Sequence, residues 1–226
     1  MYLREVHGFE YADKSNFNRA VHKLSDTVFL LFIVPIAIGI GQQLQELSTD
    51  SIYLIDSFPV AICKNIRNKR SRLLGTYNKG YHGYNKSKRE YFYGFKVQLI
   101  TTGEGIPIQY FIVAGSVHDN TAFQAMNINL KEGAQLYGDS AYLHYELEDL
   151  YEECELVELL ADRKKNSTRK DHPSMVFWKK QIRKRVETTF TEITNEFPKK
   201  IHAVTAEGFL LKVIAFIFSY TLKRLI

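Results

Sequence analysis

The sequence predicts a mixed α/β domain, a mixed sheet with helices on both faces, preceded by a short helical segment. Three observations predict it. Short strand-like apolar runs recur from Ser51 onward, two of them joined by a glycine-rich turn. Helix-patterned stretches fall between and after those runs. The 226 residues are 45% hydrophobic and 13% aromatic, which is the composition of a chain able to bury one substantial core.

Taken in order, residues 1–50 read as the short helical segment. A polar, basic start (Lys14 to Arg19) leads into the apolar run Val28 to Gly41, then the polar helical stretch Gln42 to Leu47. The apolar run falls short of the ~20 residues needed to cross a bilayer, and no targeting signal accompanies it. A domain over residues 51–226 follows. Ile52 to Ile55 reads as a buried strand and Phe95 to Thr102 as a half-buried one, alternating apolar and polar. Gly103-Glu104-Gly105 turns the chain into a partner strand over Ile106 to Ala114. Asp119-Asn120-Thr121 supplies capping chemistry for a helix through Met126. Strands over Gln135 to Tyr137 and Leu156 to Ala161 bracket a helix over Ala141 to Glu153. A long helix over Met175 to Asn195 and an apolar one over Thr205 to Leu225 complete the chain.

Strand, hairpin, helix, strand, helix, strand, helix is the element order of the ribonuclease-H-like fold. In that fold the first strand and the strand after the hairpin lie side by side. Asp56 and Asp139 each follow one of those runs, and Glu187 sits inside the long basic helix. Three carboxylates of that order suit a pair of hard cations such as Mg²⁺, which takes oxygen ligands and needs no His or Cys. Asp56 is expected to bridge two ions, with Asp139 on one and Glu187 on the other. Arg183, one turn before Glu187, is placed to orient it or to meet a phosphate. Each acid alone reads as an ordinary turn residue or surface ion pair; the ordered trio carries the signal.

Net charge is +5, and it is unevenly distributed. Basic clusters run from Lys64 to Arg72, through Lys86, Lys88 and Arg89, and densely from Arg163 to Arg185. Segregated positive charge suits a nucleic acid, and Lys64, Arg67, Lys69, Arg70, Arg72, Lys88, Arg89, Arg183 and Arg185 are the candidate DNA contacts. A solvated face is the competing explanation for any single cluster. His82, among tyrosines, is a candidate stacking residue or part of a plain insertion, and Trp178 is expected to serve core or helix packing and not as a base wedge. Cys63 and Cys154 are too few for a disulfide framework or zinc site, and suit a reducing cytoplasm.

Five strings then carry a family resemblance: Tyr53-Leu54-Ile55-Asp56-Ser57-Phe58-Pro59-Val60, Tyr93-Gly94-Phe95-Lys96-Val97, Gly115-Ser116-Val117-His118-Asp119, Gly138-Asp139-Ser140-Ala141-Tyr142 and Arg185-Val186-Glu187-Thr188-Thr189-Phe190. From about residue 14 to the end, the chain resembles the DDE transposases of bacterial insertion sequences, nearest the insertion-sequence 982 family. The resemblance implies that Asp56, Asp139 and Glu187 are the metal-binding catalytic triad. It implies two Mg²⁺ ions, with Mn²⁺ as a substitute, and cleavage of DNA by water followed by attack of the freed 3′-hydroxyl on target DNA. It also implies terminal inverted repeats and target DNA as partners, a homodimer in the active complex, and a cytoplasmic, nucleoid-associated protein. Two features depart from the pattern. Thr194 stands seven residues after the Glu, where relatives often carry Lys or Arg, and the N-terminal region reads as short. A truncated DNA-binding remnant and a nuclease without strand transfer are the alternative function classes.

Overall fold

The computed structural model describes residues 34–47, 51–64, 69, 71–85 and 89–225. The chain divides into two units, Met1–Ala37 and Ile38–Ile226. The first is described only at its last four residues, so the whole basic start, and residues 28–33 of the apolar run, lie outside the described residues. The apolar run and the polar stretch that follows it meet in one helix, α1 (Val34–Leu47).

In the second unit, β1 (Ile52–Lys64), β2 (His82–Asn85), β3 (Glu90–Thr102), β4 (Pro107–Ala114), β5 (Gln135–Gly138) and β6 (Glu158–Ala161) form one six-stranded mixed sheet. β1 lies at its centre, antiparallel to β3 and parallel to β5, and β6 runs parallel to β5. The far edge of β3 is shared by β2 and β4. Gly105 turns the β3–β4 connection at a φ of 87°, a conformation that glycine adopts without strain. Helices α2 (Asp119–Ala125), α3 (Tyr145–Glu155), α4 (Pro173–Glu196) and α5 (Ala206–Leu225) complete the unit. This is the mixed α/β, ribonuclease-H-like arrangement that the element order predicts.

Strand alternation decides which helices cover which face. Leu54, Phe58 and Val60 of β1 point one way, into a core built with Ile182, Val186, Phe190 and Ile193 of α4 and Phe209, Val213 and Ile217 of α5. Those helical positions recur every three or four residues, so each helix buries one stripe. Tyr53 and Ile55 point the other way, into a core with Leu44 of α1, Phe123 of α2 and Leu159 of β6. Among the described residues, no helix is long and apolar enough to cross a membrane.

Several boundaries differ from those expected, each for a local reason. β1 runs on past Asp56 to Lys64, because β3 continues to pair with it. Asp56 is therefore mid-strand, not at a strand end. Pro59 falls where β1 is registered with β3 alone, and such singly paired strands tolerate proline. The expected helix from Ala141 is instead a 3₁₀ turn, Ser140–Tyr142, capped by the Asp139 side chain; α3 then starts after His144, whose ring caps Leu147. Leu156 is not in a strand: it closes α3 in the left-handed conformation at φ 53°. His118, not Asp119, is the N-cap of α2. The strand β2 was absent from the predicted elements, and His82 belongs to it, its ring bonded to the Tyr77 hydroxyl at 2.8 Å. Trp178 is not core: it is 46% exposed, and its neighbours Val176 and Phe177 are exposed as well.

Candidate metal-dependent active site

Parallel pairing of β1 with β5 brings two of the predicted acids together. Leu54 is registered with Tyr137, so Asp56 and Asp139 each lie two residues beyond the same rung. Two residues on keeps a side chain on its face, here the face covered by α4. Gly138 permits the close approach. A Cβ there would come within 2.8 Å of the Ile55 Cγ2 and 3.0 Å of the Tyr142 ring. From α4, Glu187 reaches the same place: Asp56, Asp139 and Glu187 all line one small cavity of about 80 Å³.

Each acid is held differently. Asp56 is partly buried, and its Oδ1 accepts the Ser57 backbone N–H at 2.7 Å. Burial pushes its carboxyl up to about 7; the Ser57 N–H opposes this, the Asp139 and Asp119 carboxylates add to it, and Arg183 works against it. Asp139 Oδ1 accepts the Ala141 N–H at 2.8 Å, fixing the carboxylate at the strand end. Glu187 is exposed and takes a 3.1 Å hydrogen bond from Arg183 Nε, while Arg183 Nη1 bonds Asp162 Oδ2 at 3.0 Å. The Glu187 bond, with Asp162 adding to it, holds the guanidinium above its usual range despite desolvation.

Among the described residues, no three His, Cys, Asp or Glu side chains stand close enough together to hold a metal ion as they are. The donor set nonetheless fits one. Hard oxygen donors converge on a cavity where a desolvated carboxyl resists ionising, and a cation would relieve that cost.

A second acid network lies behind the sheet. Asp119 Oδ1 accepts from Ser57 Oγ at 2.9 Å, Lys96 Nζ at 2.9 Å and Gln98 Nε2 at 3.0 Å. Burial alone would raise the Asp119 carboxyl, but these donors outweigh it and hold it below its ordinary value. Gln98 in turn accepts the Tyr142 hydroxyl at 2.6 Å. Burial, then the charges of Asp56, Asp119 and Asp139, drive the Tyr142 hydroxyl well above its usual range. Ser57, which is bonded to both Asp56 and Asp119, links the two networks.

Four members of the basic stretch from Arg163 to Arg185, Arg183 among them, are tied up in ion pairs. Arg163 bonds Glu148 and Asp171, Arg169 pairs with Asp149, and the buried Lys179 reaches Asp171 at 2.7 Å and the Ala161 carbonyl at 2.9 Å. Lys180, Lys184 and Arg185 remain exposed on α4. Arg72 and Arg89 are exposed, Arg89 at a φ of 51°, and Lys69 is exposed with an interaction of its own. Arg67, Arg70, Lys88 and the side chain of Lys64 lie outside the described residues.

Residues that sequence reasoning missed are Asp162 and Lys179, both lining the acid cavity; it placed Asp119 at the head of a helix but not the bonds Asp119 makes to Ser57, Lys96 and Gln98. Asp162 carried a usable signal, since it follows the run Leu159-Leu160-Ala161 as Asp139 follows its own strand. The Asp119 contacts join residues distant in sequence and had none.

Residues 46–204 match the sequence model of a family described as a transposase DDE domain. No curated protein and no solved structure matches the chain.

Proposed function

The chain belongs to the transposase DDE domain family, and from that premise we propose that it cleaves DNA and transfers DNA strands with Asp56, Asp139 and Glu187 as its metal-holding catalytic acids. One observation carries this reading. Two acids from adjacent parallel strands and one from the helix covering them line a single cavity.

Mg²⁺ or Mn²⁺ bound there would activate the attacking oxygen and stabilise the leaving one. The chain's own groups prepare that chemistry. Asp56 gives up a proton that its buried setting retains to about pH 7, so cation uptake and proton release are coupled. Asp139 is held by its bond to the Ala141 N–H and needs little reorganisation. Arg183 orients Glu187 and brings positive charge to the cavity's mouth, where a phosphate would approach.

Finer features of the proposal rest on the sequence strings. They are membership of the insertion-sequence 982 branch, recognition of terminal repeats through residues 1–50, catalysis by residues 51–226, a homodimeric active complex and action in the cytoplasm on nucleoid DNA. Exposed Arg72, Arg89 and Arg185 are proposed to contact the DNA backbone.

The test is cleavage and joining of a duplex carrying the element's ends in Mg²⁺ or Mn²⁺. Asp56→Ala, Asp139→Ala and Glu187→Ala are each expected to lower cleavage by about a thousandfold or more. Undiminished activity in any one removes that residue from the site. Cleavage without joined products would identify a nuclease.

A further inference from the structure

A larger trough of about 540 Å³ opens from Asp56 and Glu187 and leads away from the acids. One wall is residues 56–61 of β1. β5 is registered with β1 only as far as Leu54, so beyond it this edge has no strand partner among the described residues. A strand's backbone N–H and C=O groups point alternately to its two sides, so such an edge presents unpaired ones. The opposite wall is the last turns of α4 and the segment after it, with Thr194, Phe197 and Lys199; Phe92 lines the end formed by β3. Among the described residues that line the trough, Lys199 is the one cation. It is exposed, and it makes no ion pair among the described residues. Thr194, on the same wall, brings no charge, and its hydroxyl donates to the Thr191 carbonyl at 3.1 Å.

We infer that this trough seats an unpaired nucleic-acid strand running from the reacting phosphate, with Lys199 on a backbone phosphate and Phe197 beside a base. The inference rests on the reading of the acids given above and adds the form of the substrate they receive. The volume lies within the roughly 300–1,000 Å³ range of clefts that engulf small ligands. A duplex turns its bases inward and has no use for an apolar, aromatic wall beside an open backbone edge. An unpaired strand offers a base face to the aromatic wall and a phosphate to the lysine. An extended peptide pairing with the β1 edge would use that edge but neither the lysine nor the continuity with the acids.

The probe is a labelled thymidine homopolymer of about 12 nucleotides, within the site sizes of single-strand grooves, compared with a duplex of the same length. Binding to the full chain is read by fluorescence anisotropy in Ca²⁺. Single-strand binding tighter than duplex binding is expected. Lys199→Glu and Thr194→Trp, which alter exposed positions of the wall, are each expected to weaken it about tenfold and spare duplex binding. Lys184→Glu, on α4 outside the trough, is expected to leave the difference intact. Single-strand affinity within about twofold of wild type in both wall variants, equal losses on the duplex, or no single-strand binding at all would overturn the inference. Asp139 does not line the trough, so Asp139→Ala separates the two claims. It is expected to abolish cleavage and retain single-strand binding; retained cleavage there strikes the catalytic assignment and leaves the trough standing.

Discussion

Arg183 donates from Nε to Glu187 Oε1 across one helical turn, at 3.1 Å, and so ties the most exposed of the three acids to a cation before any metal is bound. The same guanidinium holds Asp162, so it sits between two carboxylates at the rim of the acid cavity. Arg183→Met frees Glu187 and removes a positive charge from beside the metal site. Mn²⁺ should then bind about threefold to tenfold tighter by calorimetry, while strand cleavage at saturating metal falls, because Glu187 loses its orientation. Weaker Mn²⁺ binding would mean that Arg183 supports the site and does not compete within it.

Asp56 makes both metal binding and stability depend on pH. Its folded carboxyl is raised to about 7 from 3.8, so between those values the folded state holds a proton that the unfolded chain has released. Stability of the metal-free protein should therefore fall as pH rises through that window and level off above about 7. Mn²⁺ affinity should rise over the same window. Asp56→Asn should flatten the stability profile and leave the metal-free protein more stable than wild type at pH 8, by an amount on the order of 1–4 kcal/mol. Thermal melts across pH with a chelator present check this, and parallel profiles for the two proteins would refute it.

Asp119 is a structural anchor with three donors. Asp119→Ala leaves Lys96, Gln98 and Ser57 without their shared acceptor and should cost about 2–3 kcal/mol. Ser57 also bonds Asp56, so cleavage at saturating metal should fall more than the loss of folded protein explains. Denaturant unfolding and single-turnover cleavage on the same preparation separate the two effects.

Two adjacent residues on α4 should respond in opposite ways. Trp178 is exposed, so Trp178→Ser should change stability by no more than about 0.5 kcal/mol. Lys179 is buried against Asp171 and the Ala161 carbonyl, so Lys179→Ala leaves Asp171 to Arg163 alone and should cost about 1–3 kcal/mol. Urea unfolding of both variants gives the comparison directly.

Much of the fold was legible because its signals are local. Alternation marked β3, glycines marked the turn that returns the chain as β4, and the apolar positions of α4 and α5 fell at helical spacing. Boundaries failed where a partner overrode local preference. β1 continues past Asp56 because β3 holds it, and α3 starts late because the Asp139 side chain caps the intervening turn. Trp178 was misplaced because an aromatic residue signals burial only statistically, and the stripe that α4 buries runs instead through Ile182, Val186 and Phe190.

The sequence by itself determined which acids occur on which elements, and in what order, because strand and helix periodicities are written in neighbouring residues. Tertiary structure alone decided what surrounds those acids. The β1–β5 register set Asp56 beside Asp139, burial raised the Asp56 carboxyl, and Arg183 tied Glu187 to Asp162. Arg163, Arg169, Lys179 and Arg183 of the basic stretch were taken up by internal ion pairs, and Lys199 was left facing the trough. These are properties of distance and desolvation between residues far apart in the chain, and pairing, not spacing, brings them together.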